Sequence, residues 1–112
     1  MAIVRADALR SKAFGAITGS YTVLGAALAH LLRVFKLTNN TDGDLLISID
    51  GTTDNFFLPA GSFTLYDLST NSPPTMVIDN YFLGIGTQFY VKSSSSPTKG
   101  SVYLEGLYSK GD

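Results

Sequence analysis

What most constrains the fold of this chain is the regular interruption of its apolar runs. Beyond residue 30, short runs of β-forming residues are broken by clusters of Gly, Pro, Asn, Asp and Ser at intervals of roughly 8–12 residues, too closely spaced for amphipathic helices. Leu32-Arg33-Val34-Phe35-Lys36-Leu37-Thr38 ends in Asn39-Asn40-Thr41-Asp42-Gly43-Asp44, a dense set of turn formers. Leu45-Leu46-Ile47-Ser48-Ile49 follows, with Leu45, Ile47 and Ile49 on one face, and the two runs read as a hairpin. Asp50-Gly51-Thr52-Thr53-Asp54-Asn55 and Pro59-Ala60-Gly61-Ser62 are the next turns, with Phe56-Phe57-Leu58 between them. Phe63-Thr64-Leu65-Tyr66-Asp67-Leu68 carries Phe63 and Leu65 on one face and Tyr66 and Leu68 on the other, the pattern of a strand packed on two sides.

After a loop over residues 69–74, Met76-Val77-Ile78 and Tyr81-Phe82-Leu83 bracket Asp79-Asn80. Gly84-Ile85-Gly86 turns the chain into Thr87-Gln88-Phe89-Tyr90-Val91-Lys92. The polar stretch 93–100 carries no apolar anchor and reads as an exposed, mobile tip. The final run, residues 101–108, places Val102 and Leu104 on one face and Tyr103 and Glu105 on the other. The fold class is therefore all-β: a single small β-sandwich or jelly-roll-like barrel of about six to eight short antiparallel strands. Val34, Leu37, Ile47, Ile49, Phe63, Leu65, Phe89, Val91, Val102 and Leu104 form the expected core. A one-residue slip would turn such a set to solvent, so register is tightly specified.

Residues 1–19 lack this alternation and read as an N-terminal arm or short helix, ahead of a sandwich over residues 20–112. The arm carries Ile3, Val4, Leu9, Phe14 and Ile17, more apolar side chains than a disordered tail holds, which predicts docking on a neighbouring subunit or, alternatively, folding back on its own sandwich. Arg5, Asp7, Arg10 and Lys12 interrupt the N-terminus too early for a secretory apolar region. Residues 13–32 carry no formal charge, long enough on paper to span a bilayer, but Thr18, Gly19, Ser20, Tyr21, Thr22, Gly25 and His30 dilute the run. No membrane partner is expected, and Asn39-Asn40-Thr41 reads as an unused glycosylation sequon in a turn.

The side chains offer little catalytic material. There is no cysteine, which excludes disulfides and thiolate metal sites, and His30, the single histidine, sits among leucines and alanines. Glu105 is the lone glutamate. Asp42, Asp44, Asp50 and Asp54 fit turn chemistry better than a calcium loop, whose spacing they do not match. Gly84-Ile85-Gly86 lacks the third glycine and the following helix of a dinucleotide fingerprint, and reads as a hairpin corner. The expectation is a non-enzyme with no catalytic, cofactor or metal site. Net charge is −1, and Arg5, Arg10 and Arg33 do not cluster, so no nucleic-acid partner is expected. Charged residues make up only 15% of the chain against a usual quarter, which suggests a surface partly covered by copies of itself or by a partner. Leu9, Phe14, Ile17, Tyr90 and Tyr103 are the expected partner contacts. A carbohydrate- or receptor-binding module is the alternative, using Tyr66, Tyr81, Tyr90, Tyr103 and Tyr108 as an aromatic platform.

One resemblance bears on function. Tyr21-Thr22-Val23-Leu24-Gly25, then residues 35–42, residues 47–54, Leu58-Pro59-Ala60-Gly61-Ser62 and an ending made of residues 86–92 and 100–104 together resemble small virion structural proteins of tailed bacteriophages. The likeness covers most of residues 20–108 and lies in strands and turns, not in a catalytic signature. It implies a non-enzymatic sandwich located in the virion as a symmetric homo-oligomer, in contact with other virion proteins. Such a protein serves as capsid cement or decoration, or as a head–tail (neck or tail) ring component.

Overall fold

The structure, a computed structural model, describes residues 4–68 and 83–109. Nine strands among these residues form two antiparallel sheets packed face to face as an open sandwich, not a closed barrel. The five-stranded sheet contains β1 (Val4–Ala6), β2 (Arg10–Ala13), β4 (Val34–Thr41), β7 (Phe63–Asp67) and β9 (Gly100–Ser109). Its order is β1-β9-β4-β7, with β2 also pairing along β9. The four-stranded sheet, ordered β3-β8-β5-β6, contains β3 (Thr22–Val23), β5 (Leu45–Ser48), β6 (Phe56–Leu58) and β8 (Tyr90–Ser93). The expected loop at 69–74 and the runs at 76–78 and 81–82 lie outside the described residues; Leu83 makes an isolated bridge with Leu32.

The two longest strands show why the sheets stack. β4 points Phe35, Leu37, Asn39 and Thr41 inward, and β9 answers with Gly106, Leu104 and Val102 in register opposite the first three. Gly106 makes room for the buried Leu32 side chain: a Cβ on it would lie 2.7 Å from the Leu32 methyl, which would have to shift. Leu45, Ile47, Leu58, Phe89 and Val91 supply the facing layer, all buried. Aromatic rings join the layers, with the Phe35 ring 5.7 Å from Phe89 and 5.0 Å from Tyr66, within the range of favourable ring pairs. Leu24, Leu28 and Leu32 complete the core from an irregular segment, whose spacing of four mimics a helix. That segment instead runs beside residues 83–89: the amides of Leu24, Leu28 and Leu32 donate to the carbonyls of Phe89, Thr87 and Leu83. Among the described residues no helix is long and apolar enough to cross a membrane.

Several expectations change in three dimensions. The runs 32–38 and 45–49 are not a hairpin, because β4 and β5 lie in different sheets. The buried Asn39 amide redirects the chain between them, donating to the carbonyls of Gly43 and Leu58 at 2.9 Å while its Oδ1 accepts from the Thr41 amide and hydroxyl. Ile49 is not core: it lies beyond the end of β5, where the chain turns outward. Phe63 and Leu65 are also not core, at 62% and 59% exposure. Register decides this, since β7 pairs Tyr66 with buried Phe35 and Thr64 with buried Leu37, sending the alternate side chains outward. Val34, on that same outer side, is only half-buried.

The N-terminal segment is neither an arm held away from the domain nor a short α-helix. β1 and β2 both pair with β9 of the same chain, and Phe14–Ala16 forms a single 3-10 turn. Arg10 and Lys12 tie this edge to the other layer, donating to the Ala26 and Val23 carbonyls at 2.7 and 2.9 Å. The stretch 93–100 is largely exposed, yet it is pinned instead of free. Ser94 and Ser95 donate backbone hydrogen bonds to the Asp44 carbonyl, and Thr98 donates through both amide and hydroxyl to the Asp42 carboxylate. Gly43 is fitted against this loop so closely that a Cβ would collide with the Ser95 carbonyl oxygen.

Candidate functional site

The inward choice of Tyr66 by β7 leaves an apolar outer face on the five-stranded sheet. Cross-strand register arranges that face in rows. One row carries Leu107, Val34 and Asp67; the next carries Glu105, Lys36 and Leu65; the third carries Tyr103, Thr38 and Phe63. Beyond β9, residues 7–9 connect β1 to β2 and bring Leu9, 60% exposed, to the same surface. Leu9, Val34, Lys36, Leu65, Tyr103 and Leu107 are among the walls of a shallow groove of about 520 Å³ there.

Charge on this face is sparse, with Lys36 and Glu105 at its centre and Asp67 at the β7 side. Lys36 and Glu105 are direct cross-strand partners in register. The Lys36 ammonium also lies 4.7 Å from the Phe63 ring centroid, a cation–π contact that lays its stem along the face. Asp7, at the groove's edge, is held 2.9 Å from the Arg10 guanidinium and serves the packing of β2. The groove therefore combines apolar walls with one base and one acid near its middle, a composition suited to protein contact.

The outer side of the four-stranded sheet is built differently. The turn after β5 folds back on the sheet, with Ser48 Oγ donating to Asp50 at 2.7 Å and accepting from the Gly51 amide at 2.9 Å. The Asp50 carboxylate accepts from the amides of Thr53 and Thr52, and these bonds hold its pKa far below the usual carboxylate range. Asp54 accepts a 2.6 Å hydrogen bond from Tyr21 and pairs with Lys92 at 3.2 Å, and its pKa is lowered chiefly by the Tyr21 bond and then by Lys92. Burial first, and then the Asp54 bond, raise the Tyr21 phenol above its ordinary range. Lys92 also sits 4.6 Å from the Tyr21 ring centroid. These polar groups satisfy one another.

The expected partner contacts are scattered. Leu9 and Tyr103 meet at the groove, Phe14 is exposed on the 3-10 turn, and Tyr90 lies on the four-stranded sheet beside Gly51. Ile17 is not a surface residue: it is 6% exposed and packs in the core of its own chain. Lys36, Phe63, Leu65 and Leu107 belong to the outer face but were not among the expected contacts. The double-sided apolar pattern of residues 63–68 was the available signal. Among the described residues the tyrosines do not gather into a platform, Tyr81 lying outside them: Tyr66 stacks on Phe35 inside the sandwich, while Tyr108 stacks on His30 with ring centroids 3.9 Å apart. Asp50 accepts hydrogen bonds within its own turn, Asp42, Asp44 and Asp54 accept from Thr98, Ala60 and Tyr21 of other segments, and no metal-binding cluster of three such groups occurs among the described residues. Gly84-Ile85-Gly86 forms a turn that docks on Leu28, the Gly86 amide donating to the Leu28 carbonyl, and the run that precedes it lies outside the described residues up to Leu83. No protein-family model, curated protein or solved structure matches the chain.

Proposed function

We propose that this chain is a non-enzymatic structural protein that works by repeated protein–protein contacts. The open apolar face of the five-stranded sheet carries this reading. A small domain that leaves Leu9, Phe63, Leu65 and Leu107 together on one surface gains by covering them, since each buried aliphatic or aromatic side chain contributes about 1.5–3 kcal/mol. The resemblance to small tailed-phage virion proteins gives such contacts a setting: a subunit of the virion, as capsid cement or decoration or as a head–tail ring component. The histidine stacked on Tyr108 and the aspartates engaged in turns fit a role in which side chains hold shape.

The test is particle association. Particles purified from the native source, examined by quantitative mass spectrometry and immunogold labelling, should contain the chain in many copies per particle. Chain found only in the free fraction would remove the virion reading. Incorporation of a Leu65→Asp variant at the wild-type level would remove this face from the mechanism.

A further inference from the structure

Resting on the reading of the outer face as an assembly surface, we infer that its occupant is the same face of a second copy, related by a two-fold axis parallel to the strands and midway between β4 and β9. The row across the middle of the face reads, in spatial order, Leu9, Glu105, Lys36, Leu65: apolar, acid, base, apolar. Rotation about the stated axis exchanges the positions of β4 and β9. It sets Lys36 over the partner's Glu105 and Glu105 over the partner's Lys36, and carries Leu65 over the partner's Leu9. An isologous contact must be self-complementary in this way. An axis running across the strands would set Lys36 against the partner's Lys36 and Glu105 against the partner's Glu105, and like charges facing each other oppose association. Lys36 and Glu105, the central charged pair on adjacent strands, thus favour the axis parallel to the strands over the one across them. Sheets stacked at about 10 Å bring these side chains within reach of each other.

The experiment combines charge reversal with cross-linking, both read by light scattering and sedimentation. The wild-type chain should form a species of twice the chain mass. K36E sets an acid against the partner's Glu105, and E105K sets a base against the partner's Lys36, so each alone should weaken self-association by about tenfold or more. Mixed in equal amounts, the two variants should recover wild-type affinity as a heterodimer, because every facing pair is then opposite in sign. Because the chain has no cysteine, a second measurement avoids altering charge. Leu9→Cys mixed with Leu65→Cys should give a covalent one-to-one dimer with a short bis-maleimide reagent that spans the roughly 10 Å between stacked sheets, too far for a direct disulfide, while each variant alone should stay largely unlinked. A monomer at every accessible concentration, or no recovery and no cross-link on mixing, would overturn the two-fold pairing. If that happened while Leu65→Asp still prevented incorporation into particles, the face would belong to a different protein and the assembly reading would stand. Normal incorporation of Leu65→Asp alongside a monomeric wild type would end both.

Discussion

The two sheets share one core but meet solvent differently. Outside the four-stranded sheet, Val23 and Phe57 are exposed, but Ser48 with Asp50, and Tyr21 and Lys92 with Asp54, bind one another, so these polar groups are satisfied by the chain itself. Outside the five-stranded sheet, Phe63 and Leu65 stand in the open, flanked by Leu9 and Leu107. A chain that seals part of one face with its own hydrogen bonds and lines the other with an apolar groove separates two tasks: one face stabilises the monomer, and the other is open to a partner.

The shared core sets the scale for that contrast. Phe89→Ala removes a buried ring in contact with Phe35 and should cost about 3–5 kcal/mol, read as a fall in the denaturation midpoint at unchanged slope. A loss near zero would mean that the layers are not packed on each other as described. The sealed face comes next: Ser48→Ala strips the Asp50 carboxylate and the Gly51 amide of a partner and should cost about 1–2 kcal/mol in the same measurement.

Acid should act on the sealed face as well. The folded pKa values of Asp50 and Asp54 are lowered, by the Thr53 amide above all for the first and by Tyr21 for the second. A lowered carboxylate stabilises the fold above its unfolded pKa, near 3.9, and loses that contribution as pH falls through the folded value. Melting temperature should therefore be flat between about pH 7 and 5 and decline below about pH 4, less steeply in Asp50→Asn. Asp42 is lowered too, by the Thr98 hydroxyl and amide, so part of the decline should survive that substitution. The smallest effect belongs to the open face. In dilute solution Leu65→Ala should shift monomer stability by no more than about 0.5 kcal/mol, because its side chain is mostly in water already. A loss comparable to that of Phe89→Ala would show that the face is covered within the chain, and the contrast would collapse.

Where alternation is unambiguous, the sequence is a reliable guide. Val102 and Leu104 against Tyr103 and Glu105, and Phe89 and Val91 against Tyr90 and Lys92, sort to the faces their period predicts. Residues 63–68 offer two apolar sets, and nothing local chooses between them. The candidate site lies on the set that lost, so it was legible only as an ambiguity. Leu24, Leu28 and Leu32 are a second blind spot, since an irregular segment has no period to read.

By itself, then, the sequence determined the all-β class, the sites of most turns and the inward faces of the regular strands, because these follow from local dihedral preferences and a two-residue side-chain period. Only the tertiary structure decided that β4 and β5 part into different sheets, that β1 and β2 return to β9, and that Phe63 and Leu65 face outward. Each of these depends on a partner distant in the chain. Asn39 turns the chain by reaching the Leu58 carbonyl, β2 is held by carbonyls of Val23 and Ala26, and β7 takes its face from its register with β4. Such choices are set by the energy of long-range pairing, which local preference does not encode.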